Sequence, residues 1–200
     1  MSGGRRGAQG FTLVELMVTI TVLAILLAIA APSFVDFVRR NDVSSNTNEF
    51  LTTLRMARST AITRNIFVSV CPSTNATADK PSCSDSKDYS AGYLVYVASA
   101  AGKAYEEGNE LVRINEGAQK VSIMVTDAAK IITFNPRGAS TIGTFSAFLC
   151  ARHGNETVGE STGRATGRRF DVQASGRAGV VELPAQAGDA ASGSCSPGTG

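Results

Sequence analysis

A single carboxylate, Glu15, stands at the head of a segment that carries no other charge. The stretch Gly10-Phe11-Thr12-Leu13-Val14-Glu15-Leu16 opens twenty consecutive uncharged residues running from Leu16 to Val35. An ionisable group costs roughly 2.5 to 3.5 kcal/mol at the centre of a membrane helix, somewhat less near its end, and so is as a rule functional. The plain alternative is an ordinary single-pass anchor with an incidental Glu. A second chemistry lies in the four cysteines, Cys71, Cys83, Cys150 and Cys195, which form no CxxC. An even number suits an oxidising compartment better than a zinc site, for which one histidine, His153, and wide spacing are poor material. Of the three pairings open to four cysteines, we favour Cys71–Cys83 with Cys150–Cys195. The first would staple the polar loop from Pro72 to Ser82, worth on the order of 3 kcal/mol in loop entropy. The second would tie down a tail rich in Gly, Ala and Ser. Free buried thiols are the alternative.

The third candidate is a cluster of cations. Arg164, Arg168, Arg169 and Arg177 face only Asp171 between Thr162 and Val181, a local net charge of +3 among glycines. Such an element can contact phosphates without sequence preference, although a solvated arginine loop is the plainer reading. Enzymatic chemistry finds no constellation. His153 is the sole histidine and sits in a polar segment, so a nucleophile and base would have to be built around it. The glycines Gly154, Gly159, Gly163 and Gly167 follow neither the phosphate-loop nor the dinucleotide-binding pattern, and no cofactor or metal is implied. Asn75-Ala76-Thr77 and Asn155-Glu156-Thr157 match the glycosylation sequon, a match short enough to arise by chance.

The elements that position these residues follow from periodicity. As a helix, the uncharged run would reach about 30 Å, the hydrocarbon thickness of a bilayer. Pro32 removes one backbone hydrogen bond within it and should kink or bend it. The helix then continues: Val43, Thr47, Phe50, Leu54, Ala57 and Ala61 recur at spacings of four and three and make an apolar face. Arg39, Arg40, Asn41, Asp42, Asn46, Asn48, Arg55 and Arg58 lie largely off that stripe and read as its wet side. After Asn65 the period becomes two. Short strands are expected at 66–70, 93–97, 111–114, 121–125, 131–134, 145–149, 170–173 and 180–183, parted by turns such as Asn135-Pro136-Arg137-Gly138. The expectation is an α+β domain, antiparallel sheets packed over one helix face.

The Gly-Phe-Thr-Leu-x-Glu signature resembles that of the type IV pilins and type II secretion pseudopilins. The resemblance implies a basic leader, 1–10, cut by a prepilin peptidase between Gly10 and Phe11. It also implies methylation of the new Phe11 amine, and a role for Glu15 in assembly, paired with the Phe11 amine of a neighbour. The strand pattern, the Cys71–Cys83 loop, the segment Ile132 to Gly138, the strand ending at Cys150 and the Ser175-Gly176-Arg177 turn narrow the resemblance to the GspH/FimT minor pilins and pseudopilins. That group implies a pilin-like fold, a long N-terminal helix on a two-sheet domain, in a low-copy subunit of a pilus or a secretion pseudopilus. Its FimT-like members bind DNA through a C-terminal Gly-Arg-x-Arg; here Gly176-Arg177-Ala178-Gly179 has glycine where the second arginine belongs. Arg164, Arg168 and Arg169 remain as cations for nonspecific contact with double-stranded DNA.

Organisation and location follow. The leader holds two of the 19 Lys and Arg, leaving 17 against 17 Asp and Glu, a neutral mature chain where a dedicated nucleic-acid binder is usually basic. We expect a filament-core and membrane helix at 11–38 and one globular domain at 39–200. Arg5 and Arg6 would hold the N-terminus in the cytoplasm and place the domain beyond the inner membrane before assembly into the pilus. The expected partners are other pilins, the prepilin peptidase and the inner membrane.

Overall fold

The computed structural model describes residues 11–126, 130–154, 156–184 and 195. Its one long helix is α1 (Leu13–Arg64), followed by eight strands: β1 (Phe67–Pro72), β2 (Tyr93–Ala98), β3 (Leu111–Asn115), β4 (Val121–Val125), β5 (Ile132–Phe134), β6 (Phe145–Ala151), β7 (Arg168–Val172) and β8 (Ala178–Glu182). Contacts divide the chain into two compact units at Phe37/Val38. In the first unit the apolar side chains lie bare. Leu13, Leu16, Ile20, Leu23, Leu26 and Ile29 are all more than half exposed. The span is long and apolar enough to cross a membrane, with a mean hydropathy of 2.6.

Within the second unit, the strands form two four-stranded antiparallel sheets, ordered β3-β2-β1-β5 and β4-β6-β7-β8. The helical stripe expected from the sequence is the one that packs: Val43, Thr47, Phe50, Leu54, Ala57 and Ala61 are all buried. They share a core with Val68, Val70, Val95, Ile132 and Phe134 of the first sheet and Ile123, Phe145, Leu149, Phe170 and Val172 of the second. Phe50 stands at its centre, with ring centroids 5.6 Å from Tyr89, 5.5 Å from Tyr93 and 6.1 Å from Phe170. The first two contacts are edge-on, the arrangement that aligns ring edge with ring face.

Strand alternation leaves each sheet a second apolar face, and each receives its own cover. Behind the first sheet, Leu94, Tyr96 and Ala98 cluster with Cys71, beside Cys83 and Tyr105. Behind the second, Cys150, Leu183 and Cys195 cluster beside Phe148 and Val158. Burial pushes two tyrosine hydroxyls up to about 12, that of Tyr93 in the central core and that of Tyr96 in the layer behind the first sheet. The buried hydroxyls of Ser69 and Thr133 satisfy each other across the β1–β5 pair at 2.8 Å.

The end of α1 explains the change of period after Asn65. That residue adopts φ 56°, the left-handed conformation Asn tolerates, and the bonds Asn65 N to Ile62 O (3.4 Å) and Ile66 N to Ala61 O (3.1 Å) close a Schellman cap. In the last turn, Arg64 grips Glu110 with two bonds of 2.7 Å, which fixes the approach to β3. The hydrogen bond to Glu110 raises the Arg64 guanidinium, and the same bond lowers the Glu110 carboxyl.

Candidate functional site

At the head of α1, Thr12 acts as the N-cap. Its hydroxyl accepts the backbone N–H of Glu15 at 3.2 Å, and Thr12 O accepts Leu16 N at 3.1 Å. Thr12-x-x-Glu15 is the capping-box spacing, so Glu15 sits three residues into the helix, where a carboxylate also favours the positive end of the backbone dipole. Sequence reasoning took Glu15 for its charge and passed over Thr12, although the spacing is legible. Phe11 precedes the cap with its side chain 80% exposed. Gly10 and the rest of the expected leader lie outside the described residues.

The structure joins the cysteines in two bonds, Cys71 to Cys83 and Cys150 to Cys195, with Cα separations of 5.6 and 6.1 Å. Twelve residues separate the first pair and 45 the second, which corresponds to about 3 and 4 kcal/mol of loop entropy in the chain model. Each bond anchors the cover on the outer face of one sheet. His153, half-buried, has Nδ1 3.9 Å from Glu160 Oε2, an ion pair only when the ring is protonated.

The four arginines do not form one surface. Arg164 is exposed at the tip of a tight turn in which Ala165 N donates to Thr162 Oγ1 at 3.0 Å. Arg168 and Arg169 are not in a loop, as expected, but open β7, because cross-strand pairing with β6 and β8 reaches back to them. Alternation sends these neighbours to opposite faces. Arg168 pairs with Glu182, its cross-strand partner on β8. Arg169 pairs with Asp171 at 3.0 Å, two residues along the same face. Carboxylates therefore already occupy at least two of the four cations.

Arg177 lies apart from them, in the β7–β8 turn, which packs on α1 rather than projecting from the sheet. Gly176 takes φ 78°, and a Cβ there would strike the carbonyl of Gly138 and come within 2.8 Å of Arg58 Nε. Arg58 reaches past it to donate Nε–H to Gly138 O at 2.8 Å. Three separate segments meet here: the wet face of α1, the Asn135 to Gly138 turn and the β7–β8 turn. The sequence reading left Arg55 and Arg58 as solvated positions; Arg55 is exposed as expected, and the tertiary approach of Gly138 and Gly176 changes this for Arg58.

With this geometry in view, the relatives are informative. Residues 46–176 match the family model of the Type II transport protein GspH, well over half of the chain. The chain belongs to the GspH family. Residues 5–31 also match the prokaryotic N-terminal methylation motif. The fimbrial protein EcpC of Eikenella corrodens is 48% identical over 40 residues, 20% of this chain and 26% of EcpC, so the chain spans about a quarter of that relative. The type IV minor pilin FimU of Pseudomonas aeruginosa PAO1 superposes with a TM-score of 0.51 at 19% identity, covering 74% of this chain and 92% of FimU. A second crystal form of FimU gives 0.47 at 18% identity over 70% of this chain and 92% of FimU. This GspH-family chain thus has the pilin-like fold expected of it: one long helix on two antiparallel sheets.

Proposed function

We propose that this protein is a minor pilin, a low-copy subunit that works by assembling with other pilins into a type IV pilus. The observation that carries the reading is the apolar first half of α1, bare of tertiary cover and headed by Thr12-x-x-Glu15, in a chain with the methylation motif and a GspH-family domain. An uncovered apolar helix needs lipid before assembly and a bundle of like helices afterwards, since water disfavours both alternatives to burial. In this reading the prepilin peptidase cuts between Gly10 and Phe11 and the new amine is methylated. The helix waits in the inner membrane with its N-terminus cytoplasmic, and Glu15 then pairs with the Phe11 amine of a neighbour. The protein is a substrate of the processing enzyme and a structural part, not a catalyst.

The family description, a type II transport protein, favours one second reading: a minor pseudopilin of a secretion machine. Double-stranded DNA is a weaker partner, because Arg168 and Arg169 already hold carboxylates. A deletion strain scored for surface pili, exoprotein release and transformation separates these roles. Loss of pili alone supports the pilus subunit; loss of exoprotein release with pili intact rejects it. Gly10→Val tests the processing step, since a bulky residue before the cut should leave a longer membrane form. Normal mature mass in that variant would overturn the leader assignment.

A further inference from the structure

Beside the Gly138–Gly176 contact, α1 and the β7–β8 turn enclose an open groove of about 420 Å³ whose lining includes Arg55, Arg58, Ile62, Thr63 and Arg177 and no carboxylate. Neither Arg55 nor Arg177 has an ion-pair partner among the described residues, and both are exposed. Arg58 is held in place by its bond to Gly138 O, and Gly138 and Gly176 admit the close packing that brings the three cations together. In a mature chain with equal numbers of acidic and basic residues, this is a local excess of positive charge.

We propose that the groove is a docking site for an acidic, partly apolar polypeptide segment of a neighbouring pilin subunit, and this rests on the subunit reading above. Guanidinium groups recognise carboxylates by paired hydrogen bonds, and three around one groove suit a segment with more than one acidic side chain. The apolar part of the surface selects a peptide over a phosphodiester strand. Ile62, 45% exposed, lies among the arginines, and Val180, 42% exposed, follows on the edge strand β8, two residues beyond Ala178 of the lining and so on the same face. A sugar-phosphate backbone would leave these side chains without apolar partners, whereas a strand of alternating acidic and apolar residues engages both.

The full chain, carrying photoactivatable benzoylphenylalanine in place of Thr63, is expressed in its own piliated cells and irradiated. The expected result is an adduct with another pilin, mapping by mass spectrometry to a segment that holds Asp or Glu. Its yield should fall about tenfold or more when Arg55→Gln and Arg177→Gln are combined. No adduct, an adduct with nucleic acid, one with a pilin segment free of carboxylates, or a yield unchanged by the double variant overturns the proposal. Recovery of the chain without the cross-linker from sheared pili is scored in parallel, so failure of the subunit reading registers separately. As a second measurement, the detergent-solubilised full chain is titrated with a fluorescent peptide of alternating glutamate and leucine and with a thymidine oligonucleotide of equal charge. Tighter peptide binding that weakens with added salt and in the double variant supports the groove. Preference for the oligonucleotide, or no peptide binding, overturns it.

Discussion

Glu15 sits where two roles overlap, capping the helix and offering a charge, and the structure allows them to be pulled apart. The cap bond runs from the backbone N–H of Glu15 to the hydroxyl of Thr12 at 3.2 Å, so Glu15→Ala leaves it in place while Thr12→Val removes it. Loss of an N-cap hydroxyl costs about 1 kcal/mol, or roughly fivefold in the equilibrium for ordering the first turn. Loss of one partner of a buried ion pair costs about 3 to 5 kcal/mol, roughly 150- to 5,000-fold, because the other charge is stranded. If Glu15 serves assembly through the amine of a neighbour, Glu15→Ala and Glu15→Gln should both insert into the membrane yet nearly vanish from filaments. Thr12→Val should remain within about an order of magnitude of the wild-type share. The assay is quantitative immunoblotting of sheared pili against the membrane fraction in cells that lack the native copy. Equal losses from Glu15→Ala and Thr12→Val would mean that Glu15 acts through ordering of the first turn rather than through a pair with a neighbour, and wild-type incorporation of Glu15→Ala would refute the reasoning altogether.

Three further outcomes follow from the fold. Replacing both Cys150 and Cys195 by serine should cost the globular unit about 4 kcal/mol, more than the corresponding change at Cys71 and Cys83, because the closed loop is longer; equal urea midpoints for the two variants would contradict this. Tyr93 and Tyr96 are held neutral by burial with values of about 12, against an ordinary 10.0 that governs the unfolded chain. Stability from these hydroxyls is therefore complete below the unfolded value and is lost as pH rises through the folded one, so the urea midpoint should be level below pH 10.0 and fall toward about 12; a level curve across that window would be contrary evidence. If the domain shifts duplex DNA in a gel at low salt, the log-log salt slope should be no steeper than about −2, since at least two of the four arginines are ion-paired, and a slope near −4 would show that those pairs open.

Much of this fold could be read from local pattern. The stripe from Val43 to Ala61 predicted the buried helix face, and period-two segments located all eight strands to within a few residues. What pattern could not supply was which strands share a sheet. β5 joins β1 while β4 joins β6, although β4 and β5 are successive in the chain, and nothing in the two segments marks that choice. The start of β7 was missed for a related reason: Arg168 and Arg169 lack the apolar alternation of a strand and are extended by pairing with neighbours on both sides. At the candidate sites, Glu15 and the cysteines were legible because each is conspicuous alone. The groove was not, because it combines residues of α1 with Arg177, more than a hundred positions later, and depends on two glycines whose value lies in the atoms they lack.

The disulfide-held covers carry a consequence for timing. The central core of helix and sheets is assembled from residues that need no oxidant, but the outer apolar faces are sealed by segments pinned at Cys71–Cys83 and Cys150–Cys195. In a reducing compartment the covers keep hydrogen bonds such as Ser84 N to Pro72 O and Leu183 N to Gly167 O but lose the covalent tie over Leu94 and Tyr96 on one side and Phe148 and Leu183 on the other. Oxidation locks both covers. On the reading proposed above, in which the domain crosses the membrane before assembly, the chain would stay pliable while it is moved and harden only on the side where the filament is built.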